Sequence, residues 1–292
     1  MNYKELGQTG VRLPEIGLGT WEYKGGLAPL RKGIDLGAFL IDTAEAYGTE
    51  ELVGTAISDV RNKVFIATKV WPTHFRYRDL LQAADNSLQR LKIEHIDLYQ
   101  LHWPNSRVPL QETMAAMEAL VDAGKVRFIG VCNFSAQGLH KAQACLTKHT
   151  IVSNQVRYSL VQRQVEFGLL RYCWEKHITL IAYSPLGHAI DRIRKRDSCG
   201  ALNRIAVETG KTEAQVALNW CISKKGVIAI PKTDSIEHTV ENCGASGWQL
   251  SAEHIRMLER SIKSPGHIEA AVRRVATRVL RRPYRPESIS YA

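Results

Sequence analysis

One feature constrains this chain more than any other. Eight short runs rich in Val, Ile, Leu and Thr alternate with longer amphipathic stretches. The runs fall at 16–19, 39–43, 64–70, 96–102, 127–133, 151–156, 179–184 and 227–231. Runs such as Val64-Phe65-Ile66-Ala67-Thr68 are apolar on both faces, which suits a parallel sheet covered by helices. Helical stretches are expected at 49–60, 78–91, 110–123, 136–146 and 164–176. In the second, Leu80, Leu81, Ala84, Leu88 and Leu91 recur at spacings of three and four and mark one buried face. Gly124 reads as a helix stop, Ser135 as an N-cap, and Thr212 with Gln215 as a capping box. A βα unit repeated eight times predicts an α/β fold, the closed (β/α)8 or TIM barrel. Residues 3–6 and 11–13, around Gln8-Thr9-Gly10, predict an N-terminal β-hairpin plugging the barrel floor.

The length of 292 residues accommodates a barrel of about 250 residues as one unit. No linker rich in Pro, Gly or Ser divides residues 1–262, which are read as a single barrel domain. A hydrophobic fraction of 45% allows a large core without disulfides and excludes a disordered or fibrous chain. The six cysteines stand far apart with no Cys-x-x-Cys pair, so most are expected as buried apolar residues in a reducing compartment. The N-terminus shows no apolar leader, and no window reaches the roughly 18 apolar residues of a spanning helix. A cytoplasmic protein without membrane contact is therefore expected. The net charge of +10 is uneven. Lys263, Arg273, Arg274, Arg278, Arg281, Arg282 and Arg285 against Glu269 and Glu287 place half of it in residues 263–292. That extension reads as a basic amphipathic helix packed on the barrel by Ile268, Val272, Val275 and Val279 and stopped by Pro283.

Chemistry in a barrel gathers at the carboxyl ends of its strands. Three adjacent runs end in groups that a buried strand otherwise avoids. Asp42 and Tyr47 follow the second run, Lys69 ends the third and His102 the fourth, so all four are expected at one rim. A metal-dependent hydrolase built on His102 and Asp42 lacks a second strand-end His to complete a ligand set, so no metal is expected.

These residues lie in an ordered series of motifs. The series runs through Gly17-Leu18-Gly19-Thr20-Trp21, Asp42-Thr43-Ala44, Tyr47-Gly48, Ala67-Thr68-Lys69 and Leu101-His102-Trp103-Pro104. It continues through Gly130-Val131-Cys132-Asn133-Phe134, Asn154-Gln155, Ala182-Tyr183-Ser184-Pro185-Leu186-Gly187 and Ile230-Pro231-Lys232. The set resembles the aldo-keto reductase family over about residues 3–262. The resemblance implies reduction of a small carbonyl compound, with Tyr47 as general acid, Lys69 lowering its pKa, Asp42 holding Lys69 and His102 orienting the carbonyl. It implies a nicotinamide cofactor held by Thr20, Trp21, Cys132, Asn133, Gln155, Tyr183, Ser184, Leu186 and Gly187. Lys232, Thr233 and His238 would surround the adenosine 2′ position, with Glu241 and Asn242 on the adenine. Lys232 and Thr233 favour NADP(H). The family more often has Ser at position 132 and Arg at 238, and Asp234 adds a nearby anion, so NAD(H) or dual use stays open. The family also implies a monomer.

Trp21, Trp71 and Trp103 are expected to wall the substrate site, while Trp174, Trp220 and Trp248 are read as packing residues. The alternative to an enzyme is a catalytically inactive cofactor-sensing or interaction protein using its basic tail. With half of the charge in that tail and only the other half spread over residues 1–262, nucleic acid is not the expected partner of the barrel.

Overall fold

A computed structural model describes residues 1–264. The expected basic extension, apart from Lys263 and Ser264, lies outside the described residues. Strands β1 (Tyr3–Glu5) and β2 (Arg12–Pro14) form an antiparallel hairpin. The barrel strands are β3 (Leu18–Gly19), β4 (Leu40–Asp42), β5 (Phe65–Val70), β6 (Ile96–Leu101), β7 (Val126–Cys132), β8 (Ile151–Arg157), β9 (Thr179–Tyr183) and β10 (Val227–Ile230). They form an 8-stranded parallel sheet in sequence order. The ends of that sheet meet. Ile16 bridges Ala229, the Gly17 amide donates to Ala229 O at 2.8 Å, and the Gly19 amide donates to Pro231 O at 3.0 Å. The sheet is thereby a closed (β/α)8 barrel.

The helices are α1 (Leu27–Asp35), α2 (Glu50–Ile57), α3 (Tyr77–Leu91), α4 (Leu110–Asp122), α5 (Ala136–Ala144) and α6 (Leu169–Glu175). After them come α7 (Ile190–Arg194), α8 (Ala201–Thr209), α9 (Glu213–Ile222), α10 (Ile236–Cys243) and α11 (Ala252–Ser261). The capping signals act as expected. Ser135 Oγ accepts from the Gly138 amide, Thr212 and Gln215 form a reciprocal capping box, and Gly124 takes φ 72°. The helix expected over 164–176 is broken. Gln164–Glu166 is a single tight turn, and Gly168 at φ 116° separates it from α6. An apolar pattern continues through that glycine, but the backbone does not.

Two apolar layers lie between sheet and helices, and a third fills the barrel. Leu6 and Leu13 of the hairpin segment are fully buried against Leu40, Phe65, Leu98 and Ile228 and close the barrel floor. The floor is apolar and sealed, so polar chemistry is left to the opposite rim. Trp220 is fully buried and Trp248 packs beside the core, as expected. Trp174 does not: it is 48% exposed, with the Lys225 ammonium 4.4 Å from its ring centroid. Four of the six cysteines are buried, Cys145 is half-buried and Cys199 is exposed. Among the described residues no helix is long and apolar enough to cross a membrane.

Candidate active site

The rim collects the four expected residues because β4, β5 and β6 are hydrogen-bonded neighbours. Lys69 sits near the end of β5 with its side chain 1% exposed. A bare ammonium there is very costly unless every proton finds an acceptor. All three do. Nζ donates to Asp42 Oδ1 at 2.6 Å, to the Thr43 carbonyl at 2.7 Å and to the Tyr47 hydroxyl at 3.3 Å. Asp42, equally buried, also accepts from Gln155 Nε2 at 2.6 Å and from Gln100 Nε2 at 3.4 Å. Burial alone pulls the Lys69 ammonium down. The Asp42 carboxylate overrides it and leaves the pKa raised, so Lys69 is a cation throughout the physiological range.

Tyr47 ends a one-turn helix, Glu45–Tyr47, that follows β4. Its hydroxyl lies 3.4 Å from His102 Nε2, and the two rings meet edge to face at 5.4 Å. The Tyr47 pKa is pushed up to about 12, first by burial and then by Asp42, against the lowering effect of Lys69. This corrects the expectation of a lowered value: the neighbouring cation is present, but desolvation of the phenolate outweighs it. His102 moves the other way. Burial and the Lys69 charge push it down to about 3, so its imidazole is neutral. Its buried Nδ1 has no hydrogen-bond partner among the described residues.

Trp71 stands edge-on to His102 at 5.0 Å, and Trp21 stands edge-on to His188 at 6.0 Å. Trp21, Trp71 and Trp103 are 47%, 39% and 44% exposed, which leaves an open aromatic mouth rather than a filled core. Glu45 fixes one side of it by accepting from the Trp71 amide and from His74 Nδ1.

The residues expected to hold a dinucleotide continue around the same rim. Cys132 ends β7 and is fully buried, its thiol pushed up by burial and therefore neutral. Asn133 Nδ2 donates to the His102 carbonyl at 3.2 Å, and Tyr183 donates to Asn133 Oδ1 at 3.0 Å. One amide proton and one lone pair of Asn133 remain. Tyr183 is half-buried, with the Arg157 guanidinium 5.6 Å from its ring centroid. Gln155 spends one amide proton on Asp42 and keeps its other proton and its carbonyl oxygen. Glu22, Asn133, Ser184 and His188 all take positive φ just beyond barrel strands, a concentration of strained backbone at this one rim. Thr20, Leu186 and Gly187 line the same loops, Gly187 at φ 65°. Ser235 caps α10 by accepting from the His238 amide, and the first amides of the helix, at Ile236 and Glu237, have no intrahelical acceptor. Thr233 and Glu241 are half-buried, His238 is exposed and Asn242 is buried. Lys232 is ion-paired with Asp234 at 2.5 Å. Among the described residues no group of three His, Cys, Asp or Glu could hold a metal ion.

The sequence reading missed Gln100. It donates to Asp42 and accepts from the Cys132 thiol at 3.7 Å. A polar amide inside the run Ile96–Leu101 was the available signal.

A closed parallel barrel whose carboxyl rim sets a phenol between a buried ammonium and a neutral imidazole defines an oxidoreductase of the barrel type. The chain belongs to the aldo/keto reductase family, whose model matches residues 15–263. A methylglyoxal reductase, YeaE of Escherichia coli (strain K12), is 38% identical over 266 residues, covering 87% of this chain and 93% of the relative. An aldo-keto reductase from Klebsiella pneumoniae, crystallised with NADPH, is 38% identical with a TM-score of 0.84, covering 91% of this chain and 98% of that one. A thermostable aldo-keto reductase, Tm1743, crystallised with the inhibitor epalrestat, is 41% identical with a TM-score of 0.83, covering 89% and 99%.

Proposed function

We propose that this chain reduces aldehydes or ketones to alcohols with NADP(H), Tyr47 donating the proton. The observation that carries the reading is the three-way contact of Lys69 Nζ with Asp42, Thr43 and Tyr47, beside His102. A nicotinamide, when bound, supplies the hydride that no side chain can. The rim fits such a group: Tyr183 offers a half-buried aromatic face, Asn133 keeps spare amide capacity, and α10 presents amides for phosphate.

Because its pKa stands at about 12, Tyr47 holds its proton at neutral pH. Transfer of that proton to the carbonyl oxygen completes the alcohol and leaves a phenolate beside the Lys69 ammonium. There the cation acts where charge develops. Neutral His102 orients the carbonyl through Nε2, and the 3.3 and 3.4 Å contacts of the Tyr47 oxygen are of the long kind that tighten when substrate enters. The tryptophan mouth favours apolar or small carbonyl compounds over polyhydroxylated ones. The name of the Escherichia coli relative supports including small dicarbonyls.

The Klebsiella complex supports NADP(H). Lys232, expected at the adenosine 2′ position, is ion-paired with Asp234, which weakens the case for a 2′-phosphate. Following NADPH and NADH oxidation over aldehydes, ketones, dicarbonyls and sugars tests the reading. Carbonyl-dependent oxidation with NADPH preferred is expected, and none with any carbonyl overturns it.

A further inference from the structure

Three buried threonine hydroxyls lie under the segment that carries Tyr47. Thr20 Oγ1 is 2.9 Å from the Asp42 carbonyl and 2.9 Å from Thr49 Oγ1, which is 2.8 Å from Thr43 Oγ1. A hydroxyl has one proton, and a carbonyl only accepts. Thr20 must therefore donate to Asp42 O, Thr49 to Thr20, and Thr43 to Thr49. The chain has one direction and ends on the backbone of the residue that neutralises Lys69.

Its place gives it a role. Every acceptor of the Lys69 ammonium, Asp42 Oδ1, the Thr43 carbonyl and the Tyr47 oxygen, belongs to residues 42–47. Thr49 lies two residues past Tyr47, immediately before α2, and is the one hydroxyl bonded to both others. It stands at the N-cap position of α2, yet its side chain makes no capping bond to the helix. The hydroxyl is spent across the turn instead.

We infer that Thr49 is a positioning residue that pins both ends of the Tyr47 turn and so sets the distance from the phenol to Lys69. The inference rests on the reading of Tyr47 as proton donor. Thr49→Val keeps the shape and removes the middle link. A misplacement of about 1 Å costs about 100-fold in rate, so kcat should fall about 10- to 100-fold at saturating NADPH while NADPH affinity holds within about threefold. Thr49→Ser should restore kcat to within about threefold of wild type. Thr43→Val cuts the same chain at its first link, so the double variant should lose little more than the worse single one.

The assay uses NADPH with methylglyoxal or 4-nitrobenzaldehyde, whichever the wild-type chain reduces faster, with NADPH affinity from fluorescence titration and Tyr47→Phe alongside. Unchanged kcat in Thr49→Val, equal losses in Thr49→Ser and Thr49→Val, or additive losses in the double variant overturn the inference while Tyr47→Phe stays inactive. Should Thr49→Val not fold, Thr43→Val with unchanged kcat overturns it equally. A fully active Tyr47→Phe, or a wild-type chain that reduces no carbonyl in the NADPH screen, overturns the underlying reading as well.

Discussion

Replacing Lys69 by Met removes the centre of the rim and leaves its shape nearly intact. At 2.6 Å from Asp42 Oδ1, with side chains 1% and 4% exposed, the pair attracts by about 6 kcal/mol at an effective dielectric near 20. Desolvating both ions offsets much of that gain, so the net worth of the pair is smaller. Breaking it is another matter. Asp42 would keep only Gln155 and Gln100 as side-chain donors in a site without water-like screening. An uncompensated buried charge costs about 3–5 kcal/mol, which for a chain of this size lowers Tm by roughly 10 °C. Urea unfolding followed by circular dichroism measures the loss directly. Asp42→Asn in the same background removes the orphaned charge and should recover most of the stability without recovering turnover. A Lys69→Met loss below about 1 kcal/mol, or a double variant no more stable than the single one, refutes the reasoning.

Four further outcomes follow from particular contacts. His102 has its folded-state pKa depressed to about 3, so the unfolded chain binds the extra proton first on acidification; stability should fall by up to about 1.4 kcal/mol per pH unit from pH 6.5 downward, and His102→Gln should flatten that slope. By the same shift, kcat/KM for reduction should show no break near pH 6.5, and a limb there contradicts a neutral His102. Gly54 lets α2 cross the end of α3, where a Cβ would overlap the Leu91 carbonyl, so Gly54→Ala should destabilise by about 1–3 kcal/mol in urea despite its better helix propensity. Asp234→Asn releases Lys232 and should raise the NADPH/NADH ratio of kcat/KM several-fold; an unchanged ratio means Lys232 does not face the 2′ position.

The barrel was legible because its periodicities are local: apolar runs, helical spacing and caps all report on a few neighbouring residues. Gly168 shows the limit, since its break hides inside a continuing apolar pattern. At the rim, strand order alone was enough to gather Asp42, Tyr47, Lys69 and His102. Lys69 lowers the Tyr47 pKa as its charge implies, but the net shift was not legible, because its sign is decided by burial, a property of the folded rim. Gln155 was anticipated as a cofactor ligand, yet its amide also serves the charge balance of Asp42, a contact between residues far apart in sequence. Thr49 gave no signal, since a threonine before a helix reads as an ordinary cap.

The central claim is that the Tyr47 hydroxyl delivers the proton. Tyr47→Phe deletes that oxygen and leaves the Lys69–Asp42 pair and the aromatic mouth in place. Its kcat for carbonyl reduction with NADPH should fall at least about 100-fold, with NADPH binding retained, as removal of a general acid requires. Turnover close to that of the wild-type chain would contradict the account.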